Sequence, residues 1–276
     1  MALTSIVILT RNGQELTRRC VDSIIRHTDE PYEFLFVDNG STDGTLDYLA
    51  TIPDSVVIRN EVNRGFAAGC NQGMLAASGE HIVLLNNDTI VTAHWLSGLH
   101  GWLLRDSSIG IVGPVSNNVA PIQRAHFLSP YSRDALDAIA ESWRMQHANT
   151  GFYAHRLIGF CMLFHRGLLD VIGGMDERFF PGNYEDDDFS IRARISGKRL
   201  WVAKDVFIHH EGGATFRTME LDTKIASMRN AEKFRDKWSV GLSPFEIDTQ
   251  GYDPTAIVSR EPFFIPERHY VPFERS

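Results

Sequence analysis

Residues 33–45, Glu-Phe-Leu-Phe-Val-Asp-Asn-Gly-Ser-Thr-Asp-Gly-Thr, change character at their midpoint. Glu33–Val37 is an apolar, β-favouring run of strand length, and Asp38–Gly44 is a dense cluster of turn formers. A strand that stops abruptly in a polar turn is expected where an open α/β sheet meets its ligand. Toward the N-terminus, Gln14–His27 places Leu16, Cys20 and Ile24 on one helical face, and Ser5–Leu9 is a second apolar strand. Toward the C-terminus, Thr45–Ala50 reads as a short helix and Val56–Arg59 as a strand. Phe66–Ser78 is a helix of small residues closed by Gly79, and His81–Leu85 is a buried strand broken by Asn86-Asn87-Asp88. His94–Arg105 has helical spacing through Trp95, Leu99, Trp102 and Leu103, and Ile109–Val112 is strand-like. Strands alternating with helices over the first 115 residues predict a mostly parallel central sheet with helices on both faces.

The second half is less regular. Asn117–Pro130 reads as a loop and Asp134–His147 as a helix. Arg156–His165 alternates through Ile158, Phe160, Met162 and Phe164, which predicts a strand with one buried face. Glu185–Ser196 is expected to be helical, with acidic residues in its first turn and Arg192 and Arg194 later, as the helix dipole favours. Arg199–Ala203 and Val206–Ile208 read as short strands and Met219–Trp238 as a long helix. The tail from Gly241 holds Pro and aromatic residues without periodicity. No repeat or linker is evident. The division expected is one catalytic domain over residues 1–240, with a nucleotide-binding half (1–115) and an acceptor and catalytic half (116–217), followed by a C-terminal tail (241–276).

Composition narrows the function class. The 276 residues are 43% hydrophobic, 22% charged and 11% aromatic, which is globular composition with material for a large core. A formal charge of −8 argues against sequence-independent nucleic-acid binding. No apolar run reaches the roughly 20 residues of a membrane span, and the first residues lack the basic start of a signal peptide. A cytoplasmic location follows, with visits to the inner membrane face if the acceptor is lipid-linked. Cys20, Cys70 and Cys161 are scattered and read as buried thiols.

Three strand ends carry polar residues that should converge: Thr10-Arg11-Asn12, Asp38, and Asn86-Asn87-Asp88. Asp38 reads either as a contact to a base or ribose hydroxyl or as the closer of its turn. No GxGxxG or GxxxxGK[ST] is present, so phosphates would need a metal or basic side chains. Asp88 is a candidate metal ligand, or else a turn residue; a hard cation needs further oxygen ligands from elsewhere. His209 and His210 are candidate ligands that, taken singly, read equally as core histidines. Glu185-Asp186-Asp187-Asp188 is more acidity than a helix dipole explains. Asp188 and Arg192 fall at i, i+4, and Asp186 points elsewhere, suited to accepting a proton.

Taken together, SIVILTRNG, FVDNGSTDGT, NRGFAAGCNQG, LLNNDT, FFPGNYEDDDFSIRAR and FIHHEGGATF resemble the family 2 glycosyltransferases, in that family's order and over about residues 4–217. The resemblance implies an α/β fold of the glycosyltransferase A type with a C-terminal helical extension. It implies inverting transfer of a sugar from a nucleotide-diphospho-sugar to a saccharide, lipid-linked or protein acceptor, in bacterial polysaccharide or glycoconjugate synthesis, with Mn2+ or Mg2+. By position, Thr10, Arg11, Asn12 and Asp38 would hold base and ribose, and Asn63 and Arg64 the nucleotide side of the donor. Asn86 and Asn87 belong to the segment matching the Asp-x-Asp metal motif, in which only Asp88 keeps its carboxylate. Asp186 matches the general base and His210, ahead of His209, the remaining metal ligand. Glu185 and Tyr184 lie on the acceptor side, and Tyr184, Phe179 and Phe180 stack on sugars or pack in the core. The tail caps the core or joins a second subunit in a homodimer. A nucleotidyltransferase would carry a Gly-rich loop with a basic residue after the first strand, which is missing; a non-catalytic nucleotide-sugar binding module is favoured only by Asn86.

Overall fold

The computed structural model describes residues 2–127, 131–212 and 220–274. The first half alternates as the patterning predicts: β1 (Thr4–Thr10), α1 (Gln14–His27), β2 (Tyr32–Asn39), α2 (Thr45–Leu49), β3 (Ser55–Asn60), α3 (Phe66–Ala76), β4 (His81–Asn86), β5 (Thr89–Ile90), α4 (Trp95–Arg105) and β6 (Ile109–Val115). The second half adds α5 (Leu136–Gln146), β7 (Gly151–Ala154), β8 (Cys161–His165), α6 (Leu168–Ile172), α7 (Glu185–Ile195), β9 (Arg199–Phe207), β10 (His209–His210), α8 (Glu220–Trp238), α9 (Pro244–Gln250), α10 (Pro254–Arg260) and α11 (Pro266–His269).

The central sheet has eight strands in the order β3-β2-β1-β4-β8-β6-β9-β7. Strands β8 and β7 run antiparallel to their neighbours and the other strands share one direction. Apolar residues of β1, β2 and β4 are buried on both sheet faces, as parallel strands under helices require. Helix α3 comes unusually close to β1, because a Cβ on Gly69 would lie 2.3 Å from Leu9 Cδ1 and one on Gly73 2.3 Å from Val7 Cγ1. The three cysteines are free and buried.

Three expectations need correction. Arg156–His165 is not one strand; only Cys161–His165 pairs, because the segment before it is bonded to α7 instead of to strands. The two short strands expected within 199–208 are one, β9, paired in register with β6 up to a shift near Pro114. β7 gave no signal, since it is a four-residue edge strand with Phe152 and Tyr153 exposed.

The tail is helical in three short pieces, each with Pro in its first turn; Ser243 and Glu246 form a capping box on α9. It packs on α7 and α8 through Ile247, Ile257 and Phe234, and Trp238 stacks on His269 at 5.7 Å. Among the described residues no helix is long and apolar enough to cross a membrane.

Candidate functional site

Sheet register fixes where the polar strand ends meet. Thr10 lies opposite Asp38, and Leu9 opposite Asn86, so the carboxyl ends of β1, β2 and β4 are level. Asp38 is fully buried and turned inward: Thr10 Oγ1 donates to its Oδ1 at 3.0 Å, and Gly40 N and Ser41 N donate to its Oδ2 at 3.2 and 2.9 Å. Geometrically it closes the turn. Asn12 (φ 58°) accepts from Thr42 N at 2.8 Å, and Asp43 accepts from Gly13 N and Gln14 N at 2.6 and 3.1 Å. These bonds lock the end of β1 to residues 38–45. Arg11 is half-buried and Arg64 exposed at the same end; Asn63 Oδ1 accepts from Gly65 N at 3.0 Å, shaping the start of α3.

Beyond β4 the chain turns through Asn86-Asn87-Asp88. Asn87 points away from the cleft, donating to Thr17 at 3.0 Å. Asp88 is brought to histidine by a small second sheet, in which β10 pairs antiparallel with β5 and His210 lies opposite Thr89. His210 Nε2 is 3.1 Å from Asp88 Oδ1. Its backbone is bracketed by Asn117, and its Nδ1 donates to the Asn118 carbonyl at 2.8 Å. That bond leaves Nε2 as the ring atom facing the carboxylate. Burial lowers the pKa of His210, but the Asp88 carboxylate overrides it and the net direction is upward. His209 faces the other way, bonded through Nδ1 to the Tyr131 hydroxyl at 2.8 Å. The Asp88–His210 pair suits a cation: a buried ring nitrogen without hydrogen-bond geometry confronts a carboxylate. Among the described residues no group of three or more His, Cys, Asp or Glu is arranged to hold a metal. Residues 213–216, the end of the last motif, lie outside the described residues.

The acidic run divides into four environments. Asp188 is fully buried and neutralised by Arg192 Nε at 2.8 Å and Lys237 Nζ at 2.6 Å, with Trp238 Nε1 donating at 3.0 Å. Glu185 is buried with Oε2 unpartnered, and burial first, then Asp186, pushes its pKa well up. Asp187 faces Arg156, and burial with the adjacent Asp186 pushes it up to about 7. Asp186 is partly exposed; its Oδ2 accepts from Gly159 N at 2.8 Å and its Oδ1 from Asp187 N at 2.8 Å. Its pKa is raised by burial, against those amides and Arg156.

Gly159 and Phe160 join these parts. Gly159 N holds Asp186, the Phe160 carbonyl accepts from Asn86 N at 2.9 Å, and the Phe160 ring stacks on His210 at 5.2 Å. Asp186, Asn86 and the Asp88–His210 pair therefore border one cleft. Patterning did not single out Gly159, although a lone glycine within an alternating apolar run signals close backbone approach.

Tyr184 departs from expectation. It is turned into the core, its hydroxyl donating to Asp248 at 3.1 Å and its ring 5.4 Å from Phe234, so it offers no stacking face. Phe179 is likewise buried, while Phe180 is 51% exposed beside Gly65.

Residues 5–173 match the model of Glycosyl transferase family 2. The chain belongs to that family. In this family 2 glycosyltransferase, Asp186 and His210 lie beyond the matched stretch. It is 22% identical over 282 residues to the uncharacterized protein y4gI of Sinorhizobium fredii, covering 95% of this chain and 30% of that protein. It is 36% identical over 94 residues to the poly(ribitol-phosphate) beta-glucosyltransferase of Bacillus spizizenii, covering 32% of this chain and 15% of that protein. The chain thus spans less than a third of the length of either relative. Its fold, of the glycosyltransferase A type, superposes on a mannosyltransferase of Pyrobaculum calidifontis, solved with GDP-Man and Mn2+, with TM-score 0.62 at 21% identity, covering 95% of this chain and 69% of that one.

Proposed function

We propose that the chain transfers a sugar from a nucleotide-diphospho-sugar to an acceptor hydroxyl with inversion, in bacterial polysaccharide or glycoconjugate synthesis. The observation carrying this reading is the Gly159–Phe160 link, which sets a carboxylate across one cleft from a carboxylate–imidazole pair.

Arg11, Asn12, Asn63 and Arg64 would contact the nucleotide, with Thr10 and Asp38 shaping the wall behind them. Asp88 and His210 would hold a divalent cation, Mn2+ or Mg2+, whose charge would offset that developing on the diphosphate leaving group. Two protein ligands suit a cation that takes its other oxygens from the diphosphate. Asp186 would accept the proton of the acceptor hydroxyl as that oxygen attacks the anomeric carbon from the face opposite the leaving group, giving inversion in one displacement. A base of raised pKa fits this task. The acceptor would be a saccharide, a lipid-linked species or a protein. Glu185 lies beneath Asp186, buried, and would act on the acceptor only through it.

The test is a panel of nucleotide sugars assayed with Mn2+ for nucleoside diphosphate release. Asp186→Asn should lose about 10²–10⁴-fold in turnover with donor affinity retained. Near-wild-type turnover in Asp186→Asn would remove the base assignment.

A further inference from the structure

Helix α7 holds the segment before β8 residue by residue. Gly159 N donates to Asp186 at 2.8 Å, Arg156 Nη1 lies 3.3 Å from each oxygen of Asp187, Leu157 N donates to Ser190 at 3.2 Å, and Arg194 Nη1 donates to the His155 carbonyl at 3.1 Å. Residues 186, 190 and 194 repeat every fourth position, so the segment lies along one face of the helix. The tail closes this arrangement from outside. Arg194 also donates to the Pro254 carbonyl at 3.1 Å, and the Arg156 guanidinium sits 5.8 Å from the ring centre of Tyr252, whose hydroxyl is buried beside the pair.

Resting on the reading of Asp186 as base, we propose that Arg156 and Asp187, roofed by Tyr252 of the tail, form a positioning unit that sets the charge of Asp186 and aims it. Asp186 sits in a row of carboxyls: Glu185 and Asp187 beside it, and Asp188 one residue on. Asp188 is matched by Arg192 and Lys237, and Glu185 is buried without a partner. The cation left to the Asp186–Asp187 pair is Arg156, the group that opposes burial at both carboxyls. The other titratable groups facing the pair are Tyr252 and Tyr184. An opposite charge at this range ordinarily holds a carboxylate about 1–3 pKa units lower. The same contacts fix the carboxylate: the peptide carrying Arg156 also carries Gly159, whose amide grips Asp186 Oδ2. The tail thereby reaches the reaction without touching a substrate.

The experiment is a carboxyl-carbon NMR titration of the full chain labelled at aspartate, with the pair's signals assigned by Asp186→Asn and Asp187→Asn. Two interacting carboxyls titrate as a pair, so the readout is the pair's apparent midpoints. In Arg156→Gln both midpoints should rise by about one unit or more, and Arg156→Lys should return them most of the way. Tyr252→Phe, which removes one oxygen, should give a smaller rise and serves if Arg156→Gln does not fold. Midpoints at the wild-type values in the folded variant overturn the proposal. If they stay while Asp186→Asn is inactive, the base reading stands and this unit fails. If they rise while Asp186→Asn remains active, the unit is real and the base reading fails.

Discussion

Asp188 and Arg192, one turn apart on α7, form an ion pair at 2.8 Å with both side chains fully buried. The guanidinium spends its remaining donors on the carbonyls of Ile172 and Gly174, and Asp188 takes Lys237 and Trp238 from α8. The pair therefore joins α7, α8 and the turn after α6, and holds the helix whose first turn presents Asp186. Removing one partner strands a buried charge, which costs about 3–5 kcal/mol. Arg192→Met is expected to lower unfolding free energy by that amount in urea denaturation. A loss below about 1 kcal/mol would show that Lys237 alone neutralises Asp188.

Much of this was legible in the sequence. The i, i+4 spacing announced the Asp188–Arg192 pair, and apolar runs ending in polar turns announced β1, β2 and β4, because buried parallel strands need continuous hydrophobicity. Non-local pairing was not legible. Nothing in 156–165 distinguishes a strand from a segment bonded to a helix, since the bonds to Asp186 and Ser190 span about thirty residues of sequence. Tyr184 misled for a similar reason: its partners Phe234 and Asp248 lie far along the chain, in elements whose packing patterning does not specify.

The proposed cation site separates the two adjacent histidines. His210 confronts Asp88, whereas His209 bonds Tyr131. With GDP or UDP present, Mn2+ should raise the melting temperature of the wild-type protein beyond the effect of nucleotide alone, as binding to the folded state requires. Asp88→Ala and His210→Ala should each abolish that increment, and His209→Ala should keep it. Loss in His209→Ala with retention in His210→Ala would reverse the assignment.

At the opposite end of the sheet, His81 and His100 are buried with ring centres 4.7 Å apart. Burial, then His81, lowers His100 to about 4; burial lowers His81 too, and neither of its ring nitrogens has a hydrogen-bond partner. A folded-state pKa below the unfolded value of about 6.5 means the unfolded chain binds protons first as pH falls. This contribution is therefore complete above about pH 6.5 and is lost progressively toward pH 4. The loss attributable to His100 is roughly 2–3 kcal/mol. Urea midpoints at pH 7 and pH 5 should differ clearly in wild type and less in His100→Gln, whose amide can still meet Thr4. Equal pH dependence in the two proteins would assign the acid sensitivity elsewhere.

Gly159 offers a test of how finely Asp186 must be placed. A Cβ there would lie 3.3 Å from Asp186 Cβ and 3.4 Å from Phe66 Cε1. Those contacts are tight enough to displace the carboxylate by a few tenths of an ångström without unfolding anything, since the cleft is open on that side. The amide that holds Oδ2 remains, so any effect comes from displacement and not from a lost hydrogen bond. Because even about 1 Å of misplacement costs roughly 10²-fold in rate, Gly159→Ala is expected to lose about tenfold in kcat with an unchanged melting temperature and unchanged nucleotide affinity. Wild-type kcat in Gly159→Ala, with Asp186→Asn inactive, would mean that the carboxylate tolerates this displacement and that its grip by the 156–159 segment does not limit the rate.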